Sequence, residues 1–174
     1  MRRDLILIDW FNLIFRVFYA VPPFHTKEWV PVNALFGYIK ALTKILSMDA
    51  AYIVMTFDSG GGTFRSEADA SYKAQRDGMP SDLASQMDLI FQATDLMQVP
   101  RTACPGFEAD DIIGTFVRKY EKDMEHIYIV SSDKDLFQFI GPNVSVFDAM
   151  KDRVFDREEA IKKFEVEPAQ IVDY

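Results

Sequence analysis

The stretch Leu5-Ile-Leu-Ile-Asp9 is the part of the sequence that decides the predicted fold. Four apolar residues in a row, bounded by aspartates, are typical of a strand that is buried on both faces of a parallel sheet. Two further β-rich runs, at residues 52–57 and 127–130, are also followed by an aspartate, Asp58 and Asp133 respectively. The sequence therefore predicts three strands that each deliver a carboxylate at the carboxyl end.

Helical patterns alternate with these strands along the chain. Apolar spacing and capping residues predict helices at residues 32–48, 80–97, 107–121, 134–140, 156–164 and from 168 onward, and strands at 144–147 and 154–155. Asn33 is expected to help start the helix at 32–48. This alternation predicts an α/β fold, with a mostly parallel central sheet and helices on both faces. In such sheets, ligands bind beyond the carboxyl ends of the strands.

Composition narrows the range of functions. The length of 174 residues suits one domain, and 49% apolar residues can fill a core. Cys104 is the single cysteine, which excludes an internal disulfide framework and a cysteine-based zinc site. No apolar run reaches the length of a membrane span and no signal peptide is evident, so we expect cytoplasmic residence. A net charge of −8 argues, at first sight, against binding nucleic acid.

Seven carboxylates are candidates to converge at the end of the sheet. Like charges that are packed together raise one another's pKa, and the usual reason to collect them is a divalent cation. Oxygen ligands without histidine or cysteine select Mg²⁺ or Mn²⁺, and two such ions can activate water against a phosphodiester. Each residue alone has an ordinary alternative as a helix cap or turn former. The seven are Asp9, Asp58, Glu108, Asp110, Asp111, Asp133 and Asp135.

The acidic balance has a local explanation if these residues share a pocket. Without the seven, 20 acidic side chains remain against 19 basic ones, so the rest of the surface is close to neutral. The low isoelectric point then says little about whether the chain meets nucleic acid. It does predict that the pocket repels phosphate when no metal is bound.

Several motifs together resemble the 5′-nuclease family, which comprises the 5′–3′ exonuclease domain of bacterial DNA polymerase I, phage 5′-exonucleases and flap endonucleases. They span almost the whole chain, and the Pro-Gly-aromatic-Glu-Ala-Asp-Asp and Ser-Asp-Lys-Asp patterns are the most specific. The matching stretches are Leu7-Ile-Asp-Trp-Phe-Asn12 through Arg16, Pro31-Val-Asn-Ala34 with Gly37, Phe57-Asp-Ser-Gly-Gly-Gly-Thr-Phe-Arg65, Tyr72-Lys-Ala-Gln-Arg76, Pro105-Gly-Phe-Glu-Ala-Asp-Asp-Ile-Ile113 and Ser132-Asp-Lys-Asp-Leu136.

The resemblance implies a resolvase-like, or PIN-like, core with a Mg²⁺-dependent nuclease site in which Mn²⁺ can substitute. Its implied metal ligands are the seven carboxylates: Asp9, Asp58, Glu108 and Asp110 around a first ion, Asp133 and Asp135 at a second, and Asp111 beside both. Many of these contacts would run through water.

The resemblance also implies residues that meet the substrate. Lys73 and Arg76 match a basic pair that would contact the scissile phosphate and stabilise its charge. Arg16 and Arg65 are implied phosphate contacts, although Arg16 fits equally well as the partner of a carboxylate at the edge of the core. Tyr72 is a candidate for stacking on a nucleobase.

The aromatic residues near the first strand allow two interpretations. The spacing of Phe11, Phe15 and Phe18 favours a core stripe on a helix. For Tyr19 and Phe24, a place in the core and a nucleobase-stacking role both stay open.

The chain departs from the family pattern at its end. In the family, further aspartates and a helix-three-turn-helix element that grips duplex DNA follow shortly after the position of Tyr174. Residues 1–174 are therefore interpreted as the N-terminal resolvase-like domain, either of a longer enzyme or of a chain that has lost that half, and the incomplete last helix favours the longer enzyme. The implied function is hydrolysis near 5′ ends, flaps or nicks of DNA, and of primer RNA, in replication and repair. A polymerase is the implied partner, and the fragment alone should be weakly active.

Three alternatives compete with this reading. One is a DNA-structure-binding module without turnover. A signalling receiver domain needs an acidic pair after the first strand, and a small-molecule phosphatase needs an Asp-x-Asp there. Asp9-Trp10-Phe11 supplies neither, so both are disfavoured.

Overall fold

Six strands form one sheet in the computed structural model, which describes residues 3–58 and 78–173. The strands are β1 (Asp4–Asp9), β2 (Tyr52–Phe57), β3 (Arg101–Ala103), β4 (His126–Val130), β5 (Val144–Asp148) and β6 (Arg153–Phe155). The helices are α1 (Trp10–Ala20), α2 (Asn33–Leu46), α3 (Ser81–Ala84), α4 (Met87–Leu96), α5 (Ala109–Tyr120) and α6 (Arg157–Phe164), with 3₁₀ helices at Lys134–Phe139 and Pro168–Asp173.

The sheet is parallel except at one edge. Its strand order is β3-β2-β1-β4-β5-β6, and only β6 runs antiparallel to its neighbour within the described part of the chain. β1 lies between β2 and β4, in register such that Ile8 pairs with both Met55 and Val130. The carboxyl ends of β1, β2 and β4 therefore meet at one edge.

Two apolar cores cover the two faces of the sheet. Successive residues of β1 alternate between them, because side chains along a strand point to opposite faces. Ile6 and Ile8 pack in one core with α1, α2 and α4, whereas Leu5 and Leu7 pack in the other with α5, α6 and the first 3₁₀ helix. This arrangement confirms the predicted α/β class with helices on both faces.

The prediction of a single helix at residues 80–97 is wrong, because the structure has two helices there, α3 and α4. The helix is interrupted between α3 and α4. At this interruption the side chain of Gln86 points into the protein, where it is completely buried. Its Oε1 accepts hydrogen bonds from Ala34 N and Leu35 N, at 2.9 and 3.1 Å, and so caps α2 from outside.

The start of α2 also differs from the expectation. Asn33 makes no capping bond to its own helix; its Nδ2 donates instead to Phe18 O and Val21 O at the end of α1, each at 3.2 Å. Gln86 Nε2 donates to Asn33 Oδ1, so the two amides join three helix ends.

Three smaller differences concern local patterns. Strand β3 was not predicted, because Arg101-Thr102-Ala103 at a sheet edge carries no apolar run. On α1 the fully buried stripe is Trp10, Leu13, Ile14 and Val17, and the phenylalanines at 11, 15 and 18 are only partly buried beside it. The segments Lys134–Phe139 and Pro168–Asp173 are 3₁₀ rather than α-helical. No helix in the described ranges is long and apolar enough to span a bilayer.

Candidate metal and nucleic-acid site

A cleft of about 490 Å³ opens at the edge where β1, β2 and β4 end. Five of the seven predicted carboxylates line it, together with two aromatic residues and an asparagine from the start of α1. Its lining residues are Asp9, Phe11, Asn12, Phe15, Asp58, Met79, Glu108, Ala109, Asp110 and Asp133. Carboxylates from four separate parts of the sequence thus meet at one place.

Asp9 is a buried acid of the cleft, 6% exposed, and its pKa is shifted. Burial raises its pKa from 3.8 to about 6, and the neighbouring charges of Asp133 and Asp58 add to the rise. Hydrogen bonds to the carboxylate act in the opposite direction: Asn12 N donates to Oδ1 at 3.2 Å, and Ser131 Oγ donates to Oδ2 at 3.0 Å. Asp9 therefore caps α1 and faces the cleft at once.

Asp58 and Glu108 are oriented by the start of α5. Ala109 N, in the first turn of this helix, donates to Asp58 Oδ1 at 2.7 Å. Glu108 and Asp111 form a reciprocal capping box, in which Glu108 N donates to Asp111 Oδ2 at 3.0 Å. Each of these acids lies where the helix dipole favours negative charge.

Asp133 caps the 3₁₀ helix that follows β4. Its Oδ1 accepts from Asp135 N at 3.0 Å, and its own backbone N–H donates to Ser131 Oγ. Asp133 is half-buried in the cleft, whereas Asp135 is exposed and lies on the other side of α5.

A second cleft, of about 540 Å³, lies on that side. Glu108 and Asp110 line both clefts, because the first turn of α5 forms the ridge between them. Asp111 and Asp135 line the second cleft only, next to Arg118. The structure thus groups the predicted carboxylates into two adjacent sets rather than one.

The donor chemistry of both clefts fits a hard, hydrated cation. Among residues 3–58 and 78–173, no group of three or more His, Cys, Asp or Glu side chains is arranged to hold a metal ion directly. Mg²⁺ keeps several of its waters and needs only one or two direct carboxylates. Clefts that carry five and four carboxylates suit such an ion, with further contacts through water.

The predicted substrate-contacting residues divide into two groups. Arg65, Tyr72, Lys73 and Arg76 lie outside the described residues. Arg16 is described, and its Nη2 donates to both oxygens of the buried Asp148, at 3.1 and 3.0 Å. This is the carboxylate pairing that the sequence left open for it.

Two of the aromatic residues near the site line the first cleft, and two others are exposed outside it. Phe11 and Phe15 pack against the core with part of their surface and line the first cleft as well. Tyr19 is 72% exposed and Phe24 is 40% exposed, so neither belongs to the core.

Two residues of the site were missed by the sequence analysis. Asn12 and Ser131 hold acidic segments in place through hydrogen bonds to residues distant in sequence. The signals were their position near strand-end aspartates and, for Asn12, its place in the matching stretch that begins at Leu7.

A parallel sheet with helices on both faces and acidic clefts at its carboxyl edge defines a resolvase-like, or PIN-like, α/β domain. Residues 4–165 match the model of the family described as "5'-3' exonuclease, N-terminal resolvase-like domain". The chain belongs to this family.

Similar proteins are found both in sequence and in structure. A 5′-3′ exonuclease of Aquifex aeolicus is 36% identical over 99% of the chain, and a DNA polymerase I of Rhizobium leguminosarum is 37% identical over 97%. A zinc-bound T5 5′-exonuclease has the same fold, with a TM-score of 0.72 at 21% identity over 98% of this chain and 64% of its own. Flap endonuclease-1 of Methanococcus jannaschii gives a TM-score of 0.61 at 13% identity, covering 99% of this chain and 62% of its own. The chain spans 60% of the Aquifex protein and 18% of the Rhizobium polymerase.

Proposed function

We propose that this chain carries the active site of a metal-dependent 5′–3′ exonuclease and flap endonuclease, a phosphodiesterase that acts near the 5′ ends of DNA. The observation that carries the proposal is the cleft at the sheet edge, where five carboxylates from four parts of the sequence meet. Membership of the 5′-3′ exonuclease family supplies the reaction class.

The proposed roles are those that the family resemblance implies, and the pair assigned to the second ion spans the two clefts, because Asp133 lines the first and Asp135 the second. Asp9, Asp58, Glu108 and Asp110 would hold a first Mg²⁺ or Mn²⁺ ion, and Asp133 and Asp135 would serve a second, with Asp111 beside both. Bound ions would supply an activated water and neutralise charge on the phosphate.

The chain's own residues would prepare the site and meet the substrate. Backbone N–H groups at the starts of α1, α5 and the 3₁₀ helix fix one oxygen each of Asp9, Asp58 and Asp133. Lys73 and Arg76 would contact the scissile phosphate. The proposed further contacts to nucleic acid are Arg16, Arg65 and Tyr72.

The proposed substrates are DNA 5′ ends, flaps and nicks, with primer RNA as a further one. The DNA polymerase I relatives and a T5 flap endonuclease solved in complex with DNA support this choice. The setting would be replication and repair in the cytoplasm, at the nucleoid, with a polymerase fused to the domain or acting beside it. Residues 1–174 would be the N-terminal part of that enzyme.

A DNA-structure-binding module with weak or no turnover is the second candidate. It is favoured by the division of the acids between two clefts. Binding without cleavage would be its signature.

Cleavage of a 5′-flap oligonucleotide distinguishes the two. We expect release of short products in Mg²⁺ or Mn²⁺, none in EDTA, and a loss of at least about 100-fold in Asp58→Asn. Asp123→Asn, which removes an exposed acid away from both clefts, is the matched control and should cleave normally. Equal cleavage by Asp58→Asn and Asp123→Asn would refute the nuclease assignment, whereas flap binding without cleavage by the unmodified protein would support the binding module.

A further inference from the structure

One buried hydroxyl joins two of the acidic segments at the first cleft. Ser131 directly follows β4 and is 5% exposed. Its Oγ lies 3.0 Å from Asp9 Oδ2 and 3.0 Å from Asp133 N. It therefore connects the end of β1 with the turn after β4.

The direction of both hydrogen bonds follows from elementary chemistry. A backbone N–H can only donate, so Ser131 Oγ must accept from Asp133 N. The single hydroxyl proton is then left for Asp9 Oδ2, which as a carboxylate oxygen accepts it. A hydrogen bond to a charged acceptor is stronger than one between neutral groups, so this one holds the carboxylate firmly.

Both oxygens of Asp9 are consequently fixed. Oδ1 is held by Asn12 N from within its own helix start, and Oδ2 is held by Ser131 from a different strand. Two donors on two oxygens set the plane of the carboxylate as well as its position. Each oxygen keeps further lone-pair capacity, which can be directed into the cleft.

The neighbouring Ser132 provides an internal comparison. Its N–H and its Oγ both donate to Asn12 Oδ1, at 2.9 Å each. Its hydroxyl thus reinforces a contact that the backbone already makes, and reaches the Asn12 amide rather than a carboxylate. The two adjacent serines therefore differ in whether the hydroxyl contacts a carboxylate of the cleft: that of Ser131 does, and that of Ser132 does not.

We infer that Ser131 is a positioning residue, which presents Asp9 and the Asp133 turn to a divalent cation in the first cleft. The inference rests on the proposed function, because it assigns Ser131 a role in the metal affinity of that site. Residues that orient metal ligands typically contribute 10-fold to 100-fold in affinity.

Direct measurement of Mn²⁺ binding by electron paramagnetic resonance tests the inference on the full chain, without reference to cleavage. We expect Ser131→Ala to bind Mn²⁺ at least about 10-fold more weakly than the unmodified protein. Ser131→Thr, which keeps the hydroxyl, should restore most of the affinity, and Ser132→Ala should change it less than twofold. Thermal unfolding in EDTA shows whether each variant folds. Ser131→Val matches threonine in shape without the hydroxyl, so the threonine–valine pair makes the same comparison if the alanine variant does not fold.

The outcomes separate the inference from the proposed function. Equal Mn²⁺ affinity of the folded Ser131→Ala and Ser132→Ala variants, with normal binding by the unmodified protein, would overturn the inference alone. Absence of Mn²⁺ binding by the unmodified protein would overturn the proposed metal site and the inference with it.

Discussion

Replacing Asp9 by asparagine should stabilise the metal-free protein at neutral pH, although it removes a proposed metal ligand. Burial raises the pKa of Asp9 from 3.8 to about 6, so folding with the ionised carboxylate is unfavourable. One pKa unit corresponds to about 1.4 kcal/mol, and the rise of roughly two units amounts to about 3 kcal/mol above pH 6. Asparagine is neutral and avoids that penalty.

The asparagine variant also loses one of the two hydrogen bonds that the Asp9 carboxylate accepts. Asp9 accepts two hydrogen bonds on two oxygens, from Asn12 N and Ser131 Oγ, and an amide offers only one acceptor oxygen. One lost hydrogen bond costs about 1 kcal/mol. The net gain above pH 6 is therefore about 2 kcal/mol, or about 4–8 °C in Tm for a domain of this size.

The gain must depend on pH with a definite sign. Below about pH 4, Asp9 is protonated in both the folded and the unfolded protein, and no penalty exists. Between about pH 4 and 6 the unfolded chain ionises first, so the unmodified protein loses stability as the pH rises. The variant should be slightly less stable than the unmodified protein near pH 4, and more stable above pH 6.

Thermal and urea unfolding in EDTA from pH 4 to 8 measures this crossover. Asp123→Asn removes an exposed carboxylate and should show no comparable pH-dependent gain. Addition of Mn²⁺ should raise the Tm of the unmodified protein more than that of Asp9→Asn. A stability difference that is the same at pH 4.5 and pH 7.5 would refute the reasoning, because burial of a charge would then not be its cause.

Three further variants test the packing and polar contacts that support the site. Gln86→Ala should lower the free energy of unfolding by about 2–4 kcal/mol in urea denaturation, because two N–H groups of α2 lose their buried acceptor. Gly37→Ala should lower the free energy of unfolding by about 1–3 kcal/mol in the same assay, because its added Cβ would lie 3.0 Å from Val17 Cβ. An unchanged free energy of unfolding would show that α1 and α2 can move apart. Asp148→Ala should lower the free energy of unfolding by about 2 kcal/mol and lower Tm, because Arg16, one-third exposed, loses the carboxylate that its Nη2 contacts through both oxygens. An unchanged Tm would show that water replaces the ion pair.

The sequence was sufficient for the central strands of the sheet and for most of the acidic edge, but not for the edge strand β3. Apolar runs such as Leu5–Ile8 are buried on both faces, a condition that short-range patterns report well. The sequence left open whether Asp9 and Asp133 cap a helix or line the cleft, and in the structure both residues do both. A carboxylate has two oxygens, so each of these residues caps a helix and lines the cleft.

Features created by distant contacts escaped the sequence analysis. Gln86 lies in an apparently continuous helical pattern, and its role as a cap depends on α2, about 50 residues earlier in the chain. Ser131 and Asn12 look like ordinary polar neighbours of aspartates until β1 and β4 are placed side by side. The division of the acids between two clefts likewise depends on where the start of α5 lies beside the ends of β1, β2 and β4.

The central position of β1 makes the site unusually sensitive to changes in chain length. Ile8 is in register with Met55 on one side and Val130 on the other, so the position of Asp9 is set by both neighbours. Deleting one residue within β1 would move Asp9 by about 3.3 Å along the sheet or reverse the face of every side chain in the strand. Insertions and deletions in this strand should therefore be far more harmful than substitutions of one apolar residue by another.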